Sequence, residues 1–323
     1  MHILIVNHSP IPVFAYGGTE RVIWDLGRAL VRAGHRVSYL VPEGSHCDFA
    51  EVLPLQRDVP WEAQIPAGVD ITHFQFNPNI PLSFPHVVTQ HGNSSECIPL
   101  PRNTVFVSKN HAQRHNSDAF VYNGLDWSAY GTVNWQVTRT HVHFLGKAAW
   151  RVKNVQGAID IARAAHAPLE VLGGDRINLK RGFRFTWSRQ VKFHGMVGGD
   201  KKFQLLNTSR GLVFPTLWHE PFGLAVIESL YFGAPVFATP YGALPEIVTP
   251  ECGILSTSRA ILAQAVSRSQ FDPHACHARA LTFNSDQMAS DYLSVYQRVL
   301  DGESLNPVSP VLHGDIKHLP WTA

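Results

Sequence analysis

Two carboxylates, Glu220 and Glu228, stand eight positions apart in a segment that cannot be one helix. Pro221 lacks an amide donor and Gly223 is costly inside a helix, so the chain must turn between the two acids. Residues 224–232 are mostly apolar with a single charge, Glu228, which predicts a helix there. Glu220 is therefore expected in the loop before this helix, and Glu228 about one turn inside it.

The start of this helix predicts an anion site between the two acids. The backbone N–H groups of Phe222, Gly223 and Leu224 have no partner within the helix, and such a helix end attracts negative charge. A phosphate would take these N–H groups while each carboxylate accepts hydroxyl hydrogen bonds. The pattern favours a ligand that is part phosphate and part polyol. The alternative is that Glu220 is a surface acid and Glu228 a half-buried acid with a local partner.

Composition limits the class of protein. A chain of 323 residues with 45% hydrophobic and 16% charged residues predicts a globular protein of two domains. The net charge of +2 gives no reason to expect a nucleic-acid partner. The four cysteines are scattered without a C-x-x-C pair, and no signal peptide or membrane span is evident. These features predict a cytoplasmic location.

The first half of the chain predicts an open α/β sheet. A continuous apolar run at 3–6 and a second at 36–41 flank a helix with apolar residues on one stripe, which predicts a βαβ unit. Its loop ends in Gly17-Gly18, a bare turn that can approach a diphosphate closely, although no G-x-G-x-x-G is present. Further strands are predicted at 69–74, 86–90, 104–107 and 119–122.

The second half repeats the scheme. Strands are predicted at 141–145, 169–172, 190–193, 211–214 and 234–238, with helices between them and a last helix at 285–300. Ligands of open parallel sheets bind at the carboxyl ends of the strands. Three candidates follow such ends: His91 in the first half, and Lys147 and Glu220 in the second.

Residues 213–248 join the acidic loop to Glu-Ser-Leu-Tyr-Phe-Gly-Ala-Pro and Gly-Ala-Leu-Pro-Glu segments. This stretch closely resembles the donor-binding signature of family 4 glycosyltransferases, which are retaining enzymes with the GT-B fold. The resemblance implies two Rossmann-like α/β domains facing each other across a cleft, with a C-terminal helix crossing back to the first. The predicted domains are 1–135 with a linker at its end, 136–284 for donor binding, and 285–323 as crossover helix and tail packing on the N-terminal domain.

The resemblance also implies roles for the acidic loop. Glu228 would bind the ribose hydroxyls of a nucleotide, and Glu220 the hydroxyls of the transferred sugar, helped by the N–H groups of the helix start. Met196 and Val197 match the loop that binds the base. His91, in a Thr-x-His-Gly setting, matches a histidine that orients the donor sugar.

A departing diphosphate needs positive charge. The chain contains no Asp-x-Asp motif, so fixed cations and a helix N-terminus are expected to replace a metal ion, and no cofactor is predicted. Lys147 and Lys153 match the family's Gly-Arg…Lys pair. Lysine replaces the usual arginine, and the spacing is one residue longer, so Arg151 is an alternative for one of the two roles.

The favoured function is a hexosyltransferase that uses a UDP-sugar, with GDP-mannose as the next donor. Two rivals stay open: another GT-B activity, such as a phosphorylase or sugar-nucleotide epimerase, and a catalytically silent nucleotide-sugar binding protein. The acceptor is left open between a saccharide, a lipid-linked molecule and a small molecule. Its candidate contacts are Gln75, Phe76 and Asn79. A group of basic residues is either a solvated surface or a contact with an anionic membrane: Lys180, Arg181, Arg184, Arg189 and Lys192.

Overall fold

A computed structural model describes residues 1–12, 18–93, 97–178, 184–313 and 319–322. Within these residues the chain divides into two compact units. Unit 1 comprises 1–12, 18–93, 97–127 and 283–313, and unit 2 comprises 128–178, 184–282 and 319–322. None of the helices in this part of the chain is long and apolar enough to cross a membrane.

Unit 1 is built on a parallel sheet of six strands. The strands are β1 (His2–Val6), β2 (Arg36–Val41), β3 (Glu51–Pro54), β4 (Ile71–Phe74), β5 (His86–Gln90) and β6 (Thr104–Phe106). The first helices are α1 (Gly18–Arg32), α2 (Trp61–Gln64) and α3 (Lys109–Gln113). The sheet order β3-β2-β1-β4-β5-β6 reverses between β1 and β4. Every residue of β1 is buried, as its continuous apolar run predicted.

Unit 2 has a second parallel sheet of six strands. The strands of this sheet are β7 (His141–Leu145), β8 (Leu169–Leu172), β11 (Val191–Phe193), β12 (Ser209–Phe214), β13 (Val236–Ala238) and β14 (Gly253–Leu255). Unit 2 also contains the short strands β9 (Ile177–Asn178) and β10 (Arg184–Phe185). Its helices are α4 (Val155–Ala164), α5 (Gly199–Asn207), α6 (Leu224–Tyr231), α7 (Leu244–Ile247), α8 (Arg259–Arg268) and α9 (Pro273–Leu281), with a 3-10 turn at Arg151–Lys153. Another 3-10 turn, Trp127–Ala129, lies where the chain passes from unit 1 to unit 2. The order β11-β8-β7-β12-β13-β14 reverses between β7 and β12, and β9 and β10 form a separate antiparallel pair.

The last helix, α10 (Ser285–Leu300), returns to unit 1 as predicted. Two hydrogen bonds join the start of α10 to Leu125, near the end of segment 97–127 of unit 1. Leu125 N donates to Phe283 O (3.2 Å), and Ser285 N donates to Leu125 O (3.0 Å). A side chain on Gly124 would lie 2.0 Å from the carbonyl oxygen of Asn284, so only glycine permits this approach.

Two sequence expectations were wrong in detail. Residues 119–122 form no strand and contribute only a single bridge, Phe120 to Phe106. The tail, expected on the first domain, ends with residues 319–322 in unit 2, where Arg259 N donates to Thr322 O and Thr322 N to Thr257 O, both at 2.9 Å. An extended, proline-rich tail has no hydrogen bonds of its own, so it pairs where backbone groups are open, here just beyond the edge strand β14.

Buried side chains hold α10 on the sheet of unit 1. His73 on β4 contacts the Tyr296 hydroxyl through Nδ1 and Thr89 Oγ1 through Nε2, each at 2.7 Å, and Tyr292 hydrogen-bonds Thr89 Oγ1 at 2.7 Å. A neutral imidazole supplies one donor and one acceptor, which suits this chain of hydroxyls. Burial lowers the pKa of His73 to about 3.

We expect unit 1 to lose stability as the pH falls below 6.5. The unfolded chain protonates His73 near its ordinary pKa of 6.5 while the folded protein keeps it neutral, so acid favours unfolding. The contribution is about 1.4 kcal/mol per pH unit between pH 6.5 and the folded value. Urea unfolding of wild type and His73→Gln at pH 7 and pH 5 measures it, with exposed His46→Gln as control. Equal pH dependence in wild type and His73→Gln would contradict the assignment.

Candidate active site of unit 2

The predicted cations and the predicted acid meet at one edge of the second sheet. Lys147 and Lys153 follow β7, and Glu220 follows β12, and these two neighbouring strands flank the point where the sheet order reverses. Such a switch point opens a crevice at the carboxyl ends of the strands, where ligands of α/β proteins bind.

Hydrogen bonds to backbone carbonyls tie the two loops together. Leu217 N and Thr216 Oγ1 both donate to Val152 O, at 2.7 and 3.0 Å. Asn154, in a left-handed conformation, caps α4 and also donates to Pro215 O at 2.9 Å. These bonds bring Lys153 opposite Glu220.

Lys153 and Glu220 form a nearly buried ion pair. Lys153 Nζ lies 2.6 Å from Glu220 Oε2, and their side chains are 12% and 10% exposed. Trp218 Nε1 donates to the same oxygen at 2.7 Å, and Lys153 Nζ lies 4.6 Å from the centre of the Trp218 ring. The other oxygen, Oε1, has no hydrogen-bond partner among the described residues. The carboxylate is thus held by one oxygen and can accept hydroxyl groups with the other.

The backbone of Glu220 is fixed by close packing. Ala243 N donates to Glu220 O at 2.8 Å, and Gly242 has a φ of +68°. A side chain at Gly242 would lie 2.2 Å from Glu220 O. Only glycine allows this approach, so the loop that carries the acid has little freedom.

The helix start has the predicted form. Helix α6 begins at Leu224, Gly223 before it has a φ of +109°, and Gly223 itself offers no side chain to cap the helix. Phe222 is buried, and Glu228 lies one turn inside the helix. A helix N-terminus beside a lysine and a glutamate is suited to an anion that also carries hydroxyl groups.

Glu228 lies in a buried cluster that the sequence did not indicate. Its Oε1 accepts hydrogen bonds from Lys202 Nζ at 2.6 Å and from the Tyr130 hydroxyl at 2.5 Å. The side chains of Lys202 and Glu228 are 5% and 7% exposed. Lys202 Nζ also lies 5.5 Å from the centre of the Tyr130 ring. The alternative interpretation expected a surface Glu220 and a half-buried Glu228 with a local partner, but both acids are buried and the partners of Glu228 are distant in sequence. The ribose-binding role of Glu228 stays a prediction.

The predicted base loop leads directly to this cluster. Met196 is exposed and Val197 half-buried, and both precede α5, which carries Lys202. Gly173 N donates to Gly195 O at 2.7 Å and Gly195 N to Gly174 O at 3.2 Å, which pairs the loops after β8 and β11. A ligand on Met196 would therefore stand next to the helix whose lysine neutralises Glu228.

Lys147 and Arg151 lie on the loop after β7. Lys147 is half-buried with its Nζ 5.3 Å from the centre of the Trp150 ring, and Arg151 is exposed. The Trp150 ring meets the Trp218 ring edge-on at 6.0 Å. Two tryptophans therefore connect Lys147 to the Lys153–Glu220 pair. Trp218 directly precedes His219-Glu220, and that proximity was its only signal in the sequence.

The remaining candidates belong to unit 1. His91 follows β5, and its Nε2 contacts Gln75 Oε1, after β4, at 2.8 Å. Burial lowers the pKa of His91 to about 4, so the ring is neutral at pH 7.

Gly18 is the first residue of α1, whereas Gly17 lies outside the described residues. Phe76 stacks on His8 at 3.6 Å, and Asn79 borders a cavity of about 460 Å³.

Across residues 1–12, 18–93, 97–178, 184–313 and 319–322, no group of three or more His, Cys, Asp or Glu is arranged to hold a metal ion.

Comparisons with known proteins agree with this architecture. Residues 139–269, which contain the Lys153–Glu220 pair, match the family model described as glycosyl transferases group 1. O-antigen chain mannosyltransferase C of Escherichia coli is 23% identical over 187 residues, which are 53% of this chain. The match spans 50% of that protein's own length.

Solved structures resemble the whole chain. The glycosyltransferase AviGT4, involved in avilamycin A biosynthesis, superposes with a TM-score of 0.72 at 19% identity, covering 94% of this chain and 98% of AviGT4. Sucrose-phosphate synthase of Thermosynechococcus elongatus has a TM-score of 0.68 at 18% identity, covering 94% of this chain and 100% of the synthase. HepE of Anabaena, solved with UDP, has a TM-score of 0.63 at 16% identity, covering 92% and 100%.

Two α/β units with parallel sheets, and these structural neighbours, give the chain the GT-B fold, and its residues 139–269 are similar to glycosyl transferases of group 1.

Proposed function

We propose that the protein is a retaining glycosyltransferase that moves a hexose from a nucleotide-sugar to an acceptor without a metal ion. The observation that carries the proposal is the Lys153–Glu220 pair beside the start of α6, at the switch point of the second sheet. Cations, hydroxyl acceptors and backbone donors are the three kinds of group that a sugar-bearing diphosphate needs. This arrangement lies within the segment that matches glycosyl transferases.

In the proposed reaction the donor diphosphate contacts Lys147, Lys153 and the N–H groups at Phe222, Gly223 and Leu224. Oε1 of Glu220 accepts hydroxyl groups of the transferred sugar. The bond between the anomeric carbon and the phosphate oxygen breaks, and the acceptor oxygen bonds to the same face of that carbon. The acceptor proton passes to the departing phosphate. The cations and helix N-terminus stabilise the negative charge that develops there, in the place of a metal ion.

For the donor we propose a UDP-sugar. The candidate base loop at Met196 and Val197 leads into the helix that carries Lys202, and HepE, a structural neighbour, has been solved with UDP and UDP-glucose. A mannosyl donor such as GDP-mannose is the second candidate, because the E. coli relative is named a mannosyltransferase. For the acceptor we propose a saccharide hydroxyl. We also propose a cytoplasmic location, with which four free cysteines are compatible.

A thermal-shift panel of UDP, GDP, ADP, NAD and the corresponding nucleotide-sugars tests the donor. A ligand that binds only the folded protein stabilises it by about 2.7 kcal/mol at a concentration of 100 Kd. We expect UDP and UDP-glucose to raise the melting temperature equally with and without EDTA. A shift with NAD alone, or one that EDTA removes and manganese restores, would contradict the proposal.

Release of UDP from UDP-glucose in the presence of candidate saccharides separates the remaining functions. Transfer yields UDP and a glycosylated acceptor, whereas a phosphorylase requires inorganic phosphate and an epimerase changes the sugar without releasing UDP. A silent binding protein would give the thermal shift and no product in any of these assays.

A further inference from the structure

The antiparallel pair of β9 and β10, which lies between β8 and β11 in the chain, presents an apolar face to solvent. Ile177 pairs directly with Phe185, so their side chains share one face. Trp187 lies two residues beyond Phe185, and their ring centres are 5.8 Å apart. Ile177, Phe185 and Trp187 are 53%, 45% and 84% exposed. These three side chains form the hairpin face.

The backbone beneath the exposed indole is held firmly. Arg176 donates through Nη1 to Thr186 O at 2.9 Å and to Ser188 O at 3.0 Å, on either side of Trp187. Its Nη2 donates to Val191 O at 2.9 Å, and Arg163 Nη2 lies 3.4 Å from Trp187 O. A tryptophan on a loose loop can fold back onto the protein, but this one is supported by its backbone and kept in solvent. That arrangement is typical of a recognition element.

The surroundings of the hairpin face are strongly cationic. The described residues of this stretch, 175–178 and 184–192, contain four Lys or Arg and one acid, Asp175, whereas the whole chain has a net charge of only +2. Arg189 is exposed two residues after Trp187. The side chains of Arg163 and Lys192 are 43% and 68% exposed, and they lie 3.9 Å from Asp160 and 3.5 Å from Glu170. Lys180 and Arg181 lie outside the described residues, and the site is defined without them.

We propose that the hairpin face docks on an anionic lipid bilayer, with Ile177, Phe185 and Trp187 entering the headgroup region. Exposed aromatic side chains favour the boundary between water and hydrocarbon, where the indole keeps a polar partner. Cations beside an apolar face gain further attraction from anionic headgroups. The neighbouring Arg163, Arg189 and Lys192 supply that charge.

A second copy of this chain fits the surface less well. A stable dimer buries roughly 800 Å² of surface on each partner. Phe185 and Trp187 bury at most about 250 Å² each, and Ile177 adds too little to reach that area. Two such faces would also bring their arginines together. The proposal is independent of the catalytic function, because it requires nothing of the residues around Glu220.

Sedimentation with phospholipid vesicles tests the proposal. We expect wild type to bind vesicles that contain phosphatidylglycerol, to bind pure phosphatidylcholine weakly, and to dissociate as salt rises. Trp187→Ala should weaken binding about tenfold or more, the effect of keeping a large apolar side chain in water. Arg189→Gln should weaken it about fivefold, the effect of one cation near an anionic surface. Ile261→Ala and Arg268→Gln, exposed on α8 of the same unit, are the matched controls.

A positional readout uses lipids brominated in their acyl chains, which quench tryptophan fluorescence on contact. Wild type should be quenched strongly. Trp187→Phe, which keeps an apolar ring, should bind the vesicles but show much less quenching. Circular dichroism and melting of each variant establish that the fold is intact.

Three results would overturn the proposal. The first is no binding of wild type to phosphatidylglycerol vesicles. The second is equal binding of wild type and Trp187→Ala, or equal quenching of wild type and Trp187→Phe. The third is a dimer in light scattering that Trp187→Ala dissociates, which would assign the hairpin face to a second copy.

Discussion

Replacing Glu220 with glutamine should lower the turnover of UDP-glucose by about 100-fold or more while leaving the affinity for UDP nearly unchanged. In the proposed complex this carboxylate accepts sugar hydroxyl groups through Oε1, and each hydrogen bond to a charged group contributes about 1.5–3 kcal/mol. Glutamine keeps the shape of the side chain but removes the charge that pairs with Lys153 at 2.6 Å. Initial rates of UDP release and calorimetric affinities for UDP and UDP-glucose measure the two effects.

Glu251→Gln is the matched control, because this acid is exposed in the same unit. It should leave the rate and both affinities as in wild type. If Glu220→Gln weakened UDP and UDP-glucose equally, Glu220 would act on the nucleotide or on the fold instead of the sugar. Unchanged turnover in Glu220→Gln would remove Glu220 from the site altogether.

Removing the cation beside Glu228 should have the largest effect on stability. Lys202→Met takes away an ammonium 2.6 Å from a carboxylate that is almost fully buried. Breaking one partner of a buried ion pair costs about 3–5 kcal/mol, because the remaining charge has lost its solvation and its partner. Urea unfolding of wild type and variant at pH 7 measures the loss in the free energy of unfolding.

The neighbouring Lys201 provides the control, since it lies on the same helix with an exposed side chain. Lys201→Met should change the free energy of unfolding by less than about 1 kcal/mol. The double variant Lys202→Met with Glu228→Gln should be more stable than Lys202→Met alone, because the orphaned charge is gone. Equal losses in the two lysine variants would show that the ion pair is not what stabilises this part of unit 2.

The hydrophobic pattern predicted local structure well. The runs at 36–41, 86–90, 141–145 and 169–172 are strands with the predicted bounds, and α10 spans the predicted 285–300. Two of the four edge strands of the large sheets, β6 and β11, were predicted and two were missed, because a strand paired on one side only needs fewer apolar residues. The strands β3 and β14 were not predicted, and the run at 119–122 is buried only in part and pairs through one bridge.

The partners of the charged residues could not be predicted. Lys153 pairs with Glu220 across 67 positions of sequence, and Tyr130 contacts Glu228 across 98. Tyr130 lies in a stretch interpreted as linker, where nothing in the local pattern marks it for a buried cluster. Lys202 also resembled an ordinary surface lysine, because one cation on a polar helix normally faces solvent.

By itself, the sequence determined the alternation of strands and helices, the break at Pro221 and Gly223, and the positions of Glu220 before a helix and Glu228 within it. These follow from the spacing of apolar residues and from the backbone limits of proline and glycine, which act within a few residues. Only the tertiary structure decided that β12 lies beside β7, that Lys153 holds one oxygen of Glu220, and that Lys202 and Tyr130 meet at Glu228. The physical reason is that a strand's apolar pattern encodes its burial but not its neighbour, and charged side chains from distant positions meet only where the order of strands brings their loops together.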